Sequence, residues 1–211
     1  MLEFVRAGGW LMWPIILCSI IALAIIGERL WFLQRRRILP RHLVAQVWHL
    51  HSKRELDDEK INAVRISSPL GRVLAAGLIN RHHEREIMKE SIEDTGRHVV
   101  SEMSRYLNTL GTIASISPLL GLLGTVIGMI KVFAAITTQG VGNPTVLAGG
   151  ISEALITTAA GLSVAIPSLM FYRYFNGRID NFVISMEQEA IKLVEVLHGD
   201  RETEPDESEE Q

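Results

Sequence analysis

Residues 132–172 read VFAAITTQGVGNPTVLAGGISEALITTAAGLSVAIPSLMFY, and in those 41 residues the only charge is Glu153. On the N-terminal side, the 25 residues from Tyr106 to Ile130 are also free of charge. Nearer the start of the chain, Ala7 to Gly27 adds 21 more. A hydrocarbon layer about 30 Å thick takes about 20 apolar residues of helix, and only helices or closed barrels satisfy their backbone inside it. These runs predict three transmembrane helices, over 10–30, 108–133 and 147–172. The averages over all 211 residues conceal this: 47% hydrophobic, 21% charged and a net charge of −3 would also suit a globular protein. Those figures exclude collagen and a wholly disordered chain, and they offer no basic excess for nucleic acid. A single cysteine, Cys18, excludes a disulfide scaffold.

The first run has an alternative reading as a secretory signal, which carries its positive charge before the apolar stretch and a cleavage site after it. Here Glu3 and Arg6 precede the run while Arg29, Arg35, Arg36 and Arg37 follow it, the pattern of an uncleaved anchor. Residues 28–105 hold 15 of the 21 Lys and Arg, and residues 173–211 hold 4, leaving Arg6 and Lys131. The positive-inside bias then predicts an outward N-terminus and a cytoplasmic C-terminus. The expected order is a periplasmic segment 1–9, span 10–30, cytoplasmic helical region 31–107, span 108–133, periplasmic loop 134–146 and span 147–172, then cytoplasmic helix 173–199 and acidic tail 200–211. The tail holds seven acids against one Arg, so without it the net charge moves from −3 to +3. Such a run reads as a solvated, disordered segment.

Two stripes extend the later spans. Apolar positions run Met88, Ile92, Thr95, Val99, Met103, Tyr106, Leu110, and again Phe175, Ile179, Phe182, Met186, Ala190, Leu193, Leu197. Steps of three and four put each set on one helix face, and such a face needs a partner. The fold class expected is an all-α membrane protein with three transmembrane helices, the second and third extended into a cytoplasmic helical bundle. Two separate amphipathic surface helices are the alternative. Between Leu39 and Leu78, breaks are expected at Pro40 and Ser68-Pro69.

Glu153 is the residue that composition does not excuse. A carboxylate inside a span costs several kcal/mol, so it faces a protein interior or a hydrated path. Thr157 stands one turn away on nearly the same face and Thr158 a little round the helix. Gly149, Gly150 and Gly161 in the third span, and Gly121, Gly124 and Gly128 in the second, allow close helix packing. Thr125 lies 20 residues from Arg105, and Glu153 lies 20 residues from Arg173. On antiparallel helices this predicts one common level for Thr125 and Glu153. Two readings follow: a polar lining for protons or ions at Thr125, Glu153, Thr158 and, less directly, Thr157; or a protonated Glu153 that serves packing, with threonines bonding their own helix. One carboxyl is too few for a relay across a bilayer, so either a ring of copies or another protein must supply more.

ISPLLGLLGTVIGMIKVF (116–133) and the segment beginning GGISEALITTAAGLSVAIP (149–167) resemble the MotA/TolQ/ExbB proton channel family, on the ExbB/TolQ side. The resemblance implies an inner-membrane motor subunit that forms a homopentamer around a dimer of a single-span ExbD- or TolR-type partner. Protons would pass an aspartate supplied by that partner, and the motion would drive TonB-dependent transport in one branch or the Tol-Pal system in the other. The family's pore threonine falls on Thr125, and its third-span glutamate and following threonine fall on Glu153 and Thr158 with the spacing of five kept. The MotA branch fits less well, since it has four spans. ExbB-like is favoured and TolQ-like is second; the chain lacks the long outward N-terminal extension of some ExbB proteins.

Other candidates point to no chemistry. His42, His49, His51, His82, His83 and His98 bring no carboxylate or thiol at the spacing of a metal site, and Cys18 reads as a small packing residue. No Gly-Lys-Ser/Thr follows the second-span glycines, so no phosphate loop is expected. No cofactor, metal or catalytic set is predicted, and the protein is not expected to be an enzyme. Against the motor subunit stand a non-conducting membrane scaffold and a self-sufficient ion channel.

Overall fold

A computed structural model describes residues 8–40, 43, 45, 47, 57–139 and 144–197. The acidic tail 200–211, most of the N-terminal segment 1–9, the centre of the loop 134–146, and His42, His49 and His51 lie outside the described residues. Among those described there are helices and turns but no strands. We number the helices α1 (Met12–Phe32), α2 (Arg35–Ile38), α3 (Asp58–Ser67), α4 (Pro69–Ile79), α5 (Arg85–Met103), α6 (Leu107–Gln139) and α7 (Pro144–Leu197).

The chain divides into two compact units. The first comprises α1, the residues from Arg105 through α6, and α7 as far as Asn176. The second runs from Phe32 to Ser104 and takes up α7 again from Gly177.

The first unit is the apolar one, and α1, α6 and α7 are each long and apolar enough to cross a membrane. Their most apolar windows are only 28%, 22% and 28% buried within the chain. A water-soluble core would bury such windows almost completely, whereas lipid is a good solvent for them. Trp13, Leu17, Leu23, Leu119, Leu122, Leu155, Ile166 and Met170 accordingly point outward. What is buried is a narrow seam, with Ile15, Ala22 and Ile25 from α1, Leu110 and Ile113 from α6, and Ala154, Ala165 and Phe175 from α7. Ring stacking of Phe171 on Phe175, with centroids 5.8 Å apart, packs the lower part of α7 in this unit.

α5 and α6 do not join smoothly. Met103 ends α5, and Tyr106 takes φ 63°, the left-handed region that terminates a helix but costs a bulky residue about 1 kcal/mol. Guanidinium groups of Arg29 and Arg105 lie 5.7 and 4.9 Å from the Tyr106 ring centroid and hold it there. The turn resets the helical phase. Met88, Ile92, Val99, Met103 and Leu110 are buried as their stripe predicts, but Tyr106 is exposed and Leu107 takes its place inside. The expected stripe thus holds on either side of the turn and fails at the one residue that left helical geometry.

The second unit is built around α4. Ser68 is its N-cap, with Oγ accepting from Gly71 N at 3.0 Å, and Pro69 follows at the first helical position, where its missing N–H costs nothing. α4 is short and buried nearly all round, through Leu70, Val73, Leu74, Ala75 and Leu78. The stripes of α5 and the end of α7 converge on it at Gly77: a Cβ there would stand 2.9 Å from Ile92 Cδ1 and 3.2 Å from Leu193 Cδ2. Ile179, Phe182, Met186, Ala190 and Leu193 are all buried, so the α7 stripe is a packing face rather than a free amphipathic surface.

Arg72 on α4 grips Glu102 on α5 with both nitrogens, Nη1–Oε1 at 2.8 Å and Nη2–Oε2 at 2.6 Å. The hydrogen bond to Glu102 pushes the Arg72 guanidinium up, against the opposing effect of partial burial. Both side chains are partly exposed, so Arg72→Ala is expected to cost only about 0.5–1 kcal/mol, and the cost shrinks in high salt. Thermal melts of the two proteins at low and high ionic strength check this.

Candidate functional site

The site grows from the α6–α7 seam, where five glycines remove the side chains that would hold the helices apart. A Cβ on Gly121 would meet Thr158 Cα at 2.9 Å and Thr157 O at 3.1 Å. At Gly128 it would meet Ala154 Cβ at 2.8 Å and Gly150 O at 2.9 Å. Gly124 leaves room for the Thr157 side chain, and Gly161 packs on the Ser117 carbonyl and Gly121. Gly150 lies against Val132. Gly149 has nothing within 4 Å of its Cβ position, so the packing role expected of it is absent from this seam.

These contacts set the register, and the register shifts one expectation. Gly124 faces Thr157 and Gly128 faces Ala154, so Thr125 and Glu153 do not share a level; they are staggered by about one turn. The reason lies at the other end of the pair. Gly111 packs on the Tyr172 ring, 3.0 Å from Cε2, so Arg173 is level with the start of α6 rather than with Arg105. Counting residues from the two arginines assumed that both counts began at one depth.

The threonine hydroxyls of the seam each have a partner, whereas Ser117 Oγ on α6, fully buried, has none among the described residues. Thr157 is 1% exposed and its Oγ1 donates within its own helix, to Ala154 O at 2.9 Å or Glu153 O at 3.2 Å. Thr125 Oγ1 donates to Leu122 O at 2.6 Å, again within one helix. Thr158 differs, because its Oγ1 donates across the seam to Gly121 O at 3.0 Å. That carbonyl also accepts in its own helix ladder, so Thr158 ties the two spans directly. Thr158→Val is expected to loosen the pair by about 1 kcal/mol, read as a lower melting temperature in detergent with the helix content unchanged.

Glu153 lies toward the 139–144 end of the seam. Its Oε1 is 2.6 Å from Lys131 Nζ on α6. Gly8, Trp10 and Leu11, which precede α1, line a small cleft beside it together with Gly124, Ile127 and Thr157. A Cβ on Gly9 would overlap Glu153 Oε1, and Gly9 has φ +69°. The carboxylate is thus approached from three elements: α7 supplies it, α6 supplies a cation, and the segment before α1 covers it. Sequence reasoning singled out Glu153 and missed Lys131, which stood one residue outside the 41-residue window and was counted only as an outward charge. The available signal was the glycine register: once Gly128 faces Ala154, Glu153 comes within reach of the long Lys131 side chain.

A seam of this kind belongs to a multi-pass membrane protein whose polar interior is made by small and hydroxyl residues around one acid. Residues 65–188 match the sequence model of the MotA/TolQ/ExbB proton channel family, and the chain belongs to that family. It is 38% identical over 179 residues to an ExbB-like biopolymer transport protein of Synechocystis sp., covering 81% of this chain and 68% of that one. It is 31% identical over 196 residues to the biopolymer transport protein ExbB of Salmonella typhimurium, covering 85% and 77%. A second ExbB-like protein of Synechocystis sp. is 29% identical over 209 residues, covering 96% and 97%.

Proposed function

We propose that this chain is the ExbB-type subunit of an inner-membrane, proton-driven motor, with an outward N-terminus and a cytoplasmic C-terminus. Copies of the chain, five in the family pattern, surround a single-span ExbD-type partner that brings the missing intramembrane acid. Protons crossing beside Thr125, Glu153 and Thr158 shift that partner between two positions, and the motion is passed to a TonB-like protein that energises outer-membrane transport. The observation that carries this reading is Glu153, a charged group held in a glycine-sealed seam of a proton-channel family member. One acid among residues 132–172 is too few for a relay, which supports a partnered subunit over a self-sufficient channel. The ExbB names of the similar proteins favour the TonB-linked branch over the TolQ-like one.

Purification of the tagged chain from its own membrane tests the reading. The expected result is a stoichiometric single-span protein with an intramembrane Asp, together with uptake that collapses when the gradient is dissipated. Recovery of the chain alone, with uptake unaffected, would favour a scaffold. Recovery with Tol-Pal components would move it to the TolQ-like branch.

A further inference from the structure

An ionised carboxylate between apolar helices is tolerated when a counter-charge stands beside it and its position is enforced by the packing around it. At Glu153 these two conditions are met by residues from different elements. Lys131 Nζ stands 2.6 Å from Oε1, and it reaches the carboxylate from three residues beyond Gly128, whose contact with Ala154 sets the register. The remaining side of the carboxylate is closed by Gly9, at φ +69°, where a residue with a Cβ would be strained and would also displace Oε1. The Lys131 side chain is 51% exposed and that of Glu153 only 22%, so the lysine is the outward partner and the carboxylate the enclosed one.

Lys131 Nζ on one side and Gly9 on the other thus set where the Glu153 carboxylate stands. We propose that Lys131 is a positioning residue for Glu153, and that the ion pair is a fixed electrostatic brace between α6 and α7 rather than a station that takes up and hands on protons. Glu153 then acts by presenting its carboxylate at one fixed point of the seam, while the proton is carried by the acid of the partner. This inference rests on the role of Glu153 in gradient-driven work proposed above.

The test uses the full chain in its native membrane with its partners, comparing Lys131→Met, Lys131→Arg, Glu153→Ala and the exchange Lys131→Glu with Glu153→Lys. Removing the cation should lower gradient-driven uptake by about tenfold or more at equal protein level, because a displaced charged group loses its geometry. Arginine can make the same single N–O contact, so Lys131→Arg should stay within about twofold of the parent. The exchanged pair should recover the protein level that either reversal alone loses, because the α6–α7 brace is restored, but not the uptake, because the charge at position 153 is inverted. Carbodiimide treatment of the unmodified protein should form a Lys131–Glu153 amide detectable by mass spectrometry. Lys89–Glu86 and Lys192–Glu189, at 3.3 and 2.8 Å, serve as control pairs. Wild-type uptake by Lys131→Met beside an inactive Glu153→Ala would overturn the brace and leave the proposed function standing. So would cross-linked control pairs without the Lys131–Glu153 link. Wild-type uptake by Glu153→Ala would remove the functional reading on which the brace depends.

Discussion

Glu153→Ala is expected to reduce gradient-driven uptake or envelope function by two orders of magnitude or more, about the scale of losing a charged group from a preorganised site. Protein level should stay near normal. Lys131 is half exposed, and the side chain can swing toward the membrane surface once its partner is gone, so no cation is stranded in the interior. Thr125→Val should act in the same direction but more weakly, since its hydroxyl is already bonded to Leu122 O and offers the seam only its lone pairs. Measuring uptake against immunoblotted protein level, with and without an uncoupler, separates lost function from lost protein. Normal uptake by Glu153→Ala at normal level would sink the motor role.

Gly161→Val should be the most disruptive single change in stability. Its Cβ would stand 2.5 Å from the Ser117 carbonyl oxygen and 3.2 Å from Gly121 Cα, both backbone atoms that no rotamer change can move aside. Either the helices separate or the backbone bends, which costs about 3 kcal/mol or more where overpacking has no outlet. Separation also breaks the Thr158–Gly121 bond and pulls Lys131 away from Glu153. Gly121→Val should behave alike, since it strikes Thr158 Cα. Gly149→Val is the control, with nothing within 4 Å to meet, and it should fold normally. Expression, detergent melting temperature and the Lys131–Glu153 cross-link would report the three together. A Gly161→Val protein that melts like the parent would refute the close packing.

Close helix packing was legible where local rules decide, and contacts across the seam were not, because register decides them. Gly121, Gly124, Gly128, Gly150 and Gly161 were legible because small residues recurring at helical spacing have little other use in a span. Gly149 carried the same signal and faces open space, because spacing does not say which face the neighbour occupies. Ser68-Pro69 was legible as a helix start from capping chemistry alone. Tyr106 was not, since an aromatic residue in the left-handed region has no sequence signature, and it displaced the stripe by one residue to Leu107.

By itself the sequence determined that this is a helical membrane protein with three spans and one acid among small residues. In hydrocarbon a backbone has few ways to satisfy itself, so long charge-free runs leave one answer. Only the tertiary structure decided what that acid meets. Contact between antiparallel helices depends on their relative sliding, which the glycine contacts set, and a shift of about one turn is enough to take Thr125 off the level of Glu153 and bring Lys131 Nζ within reach of it.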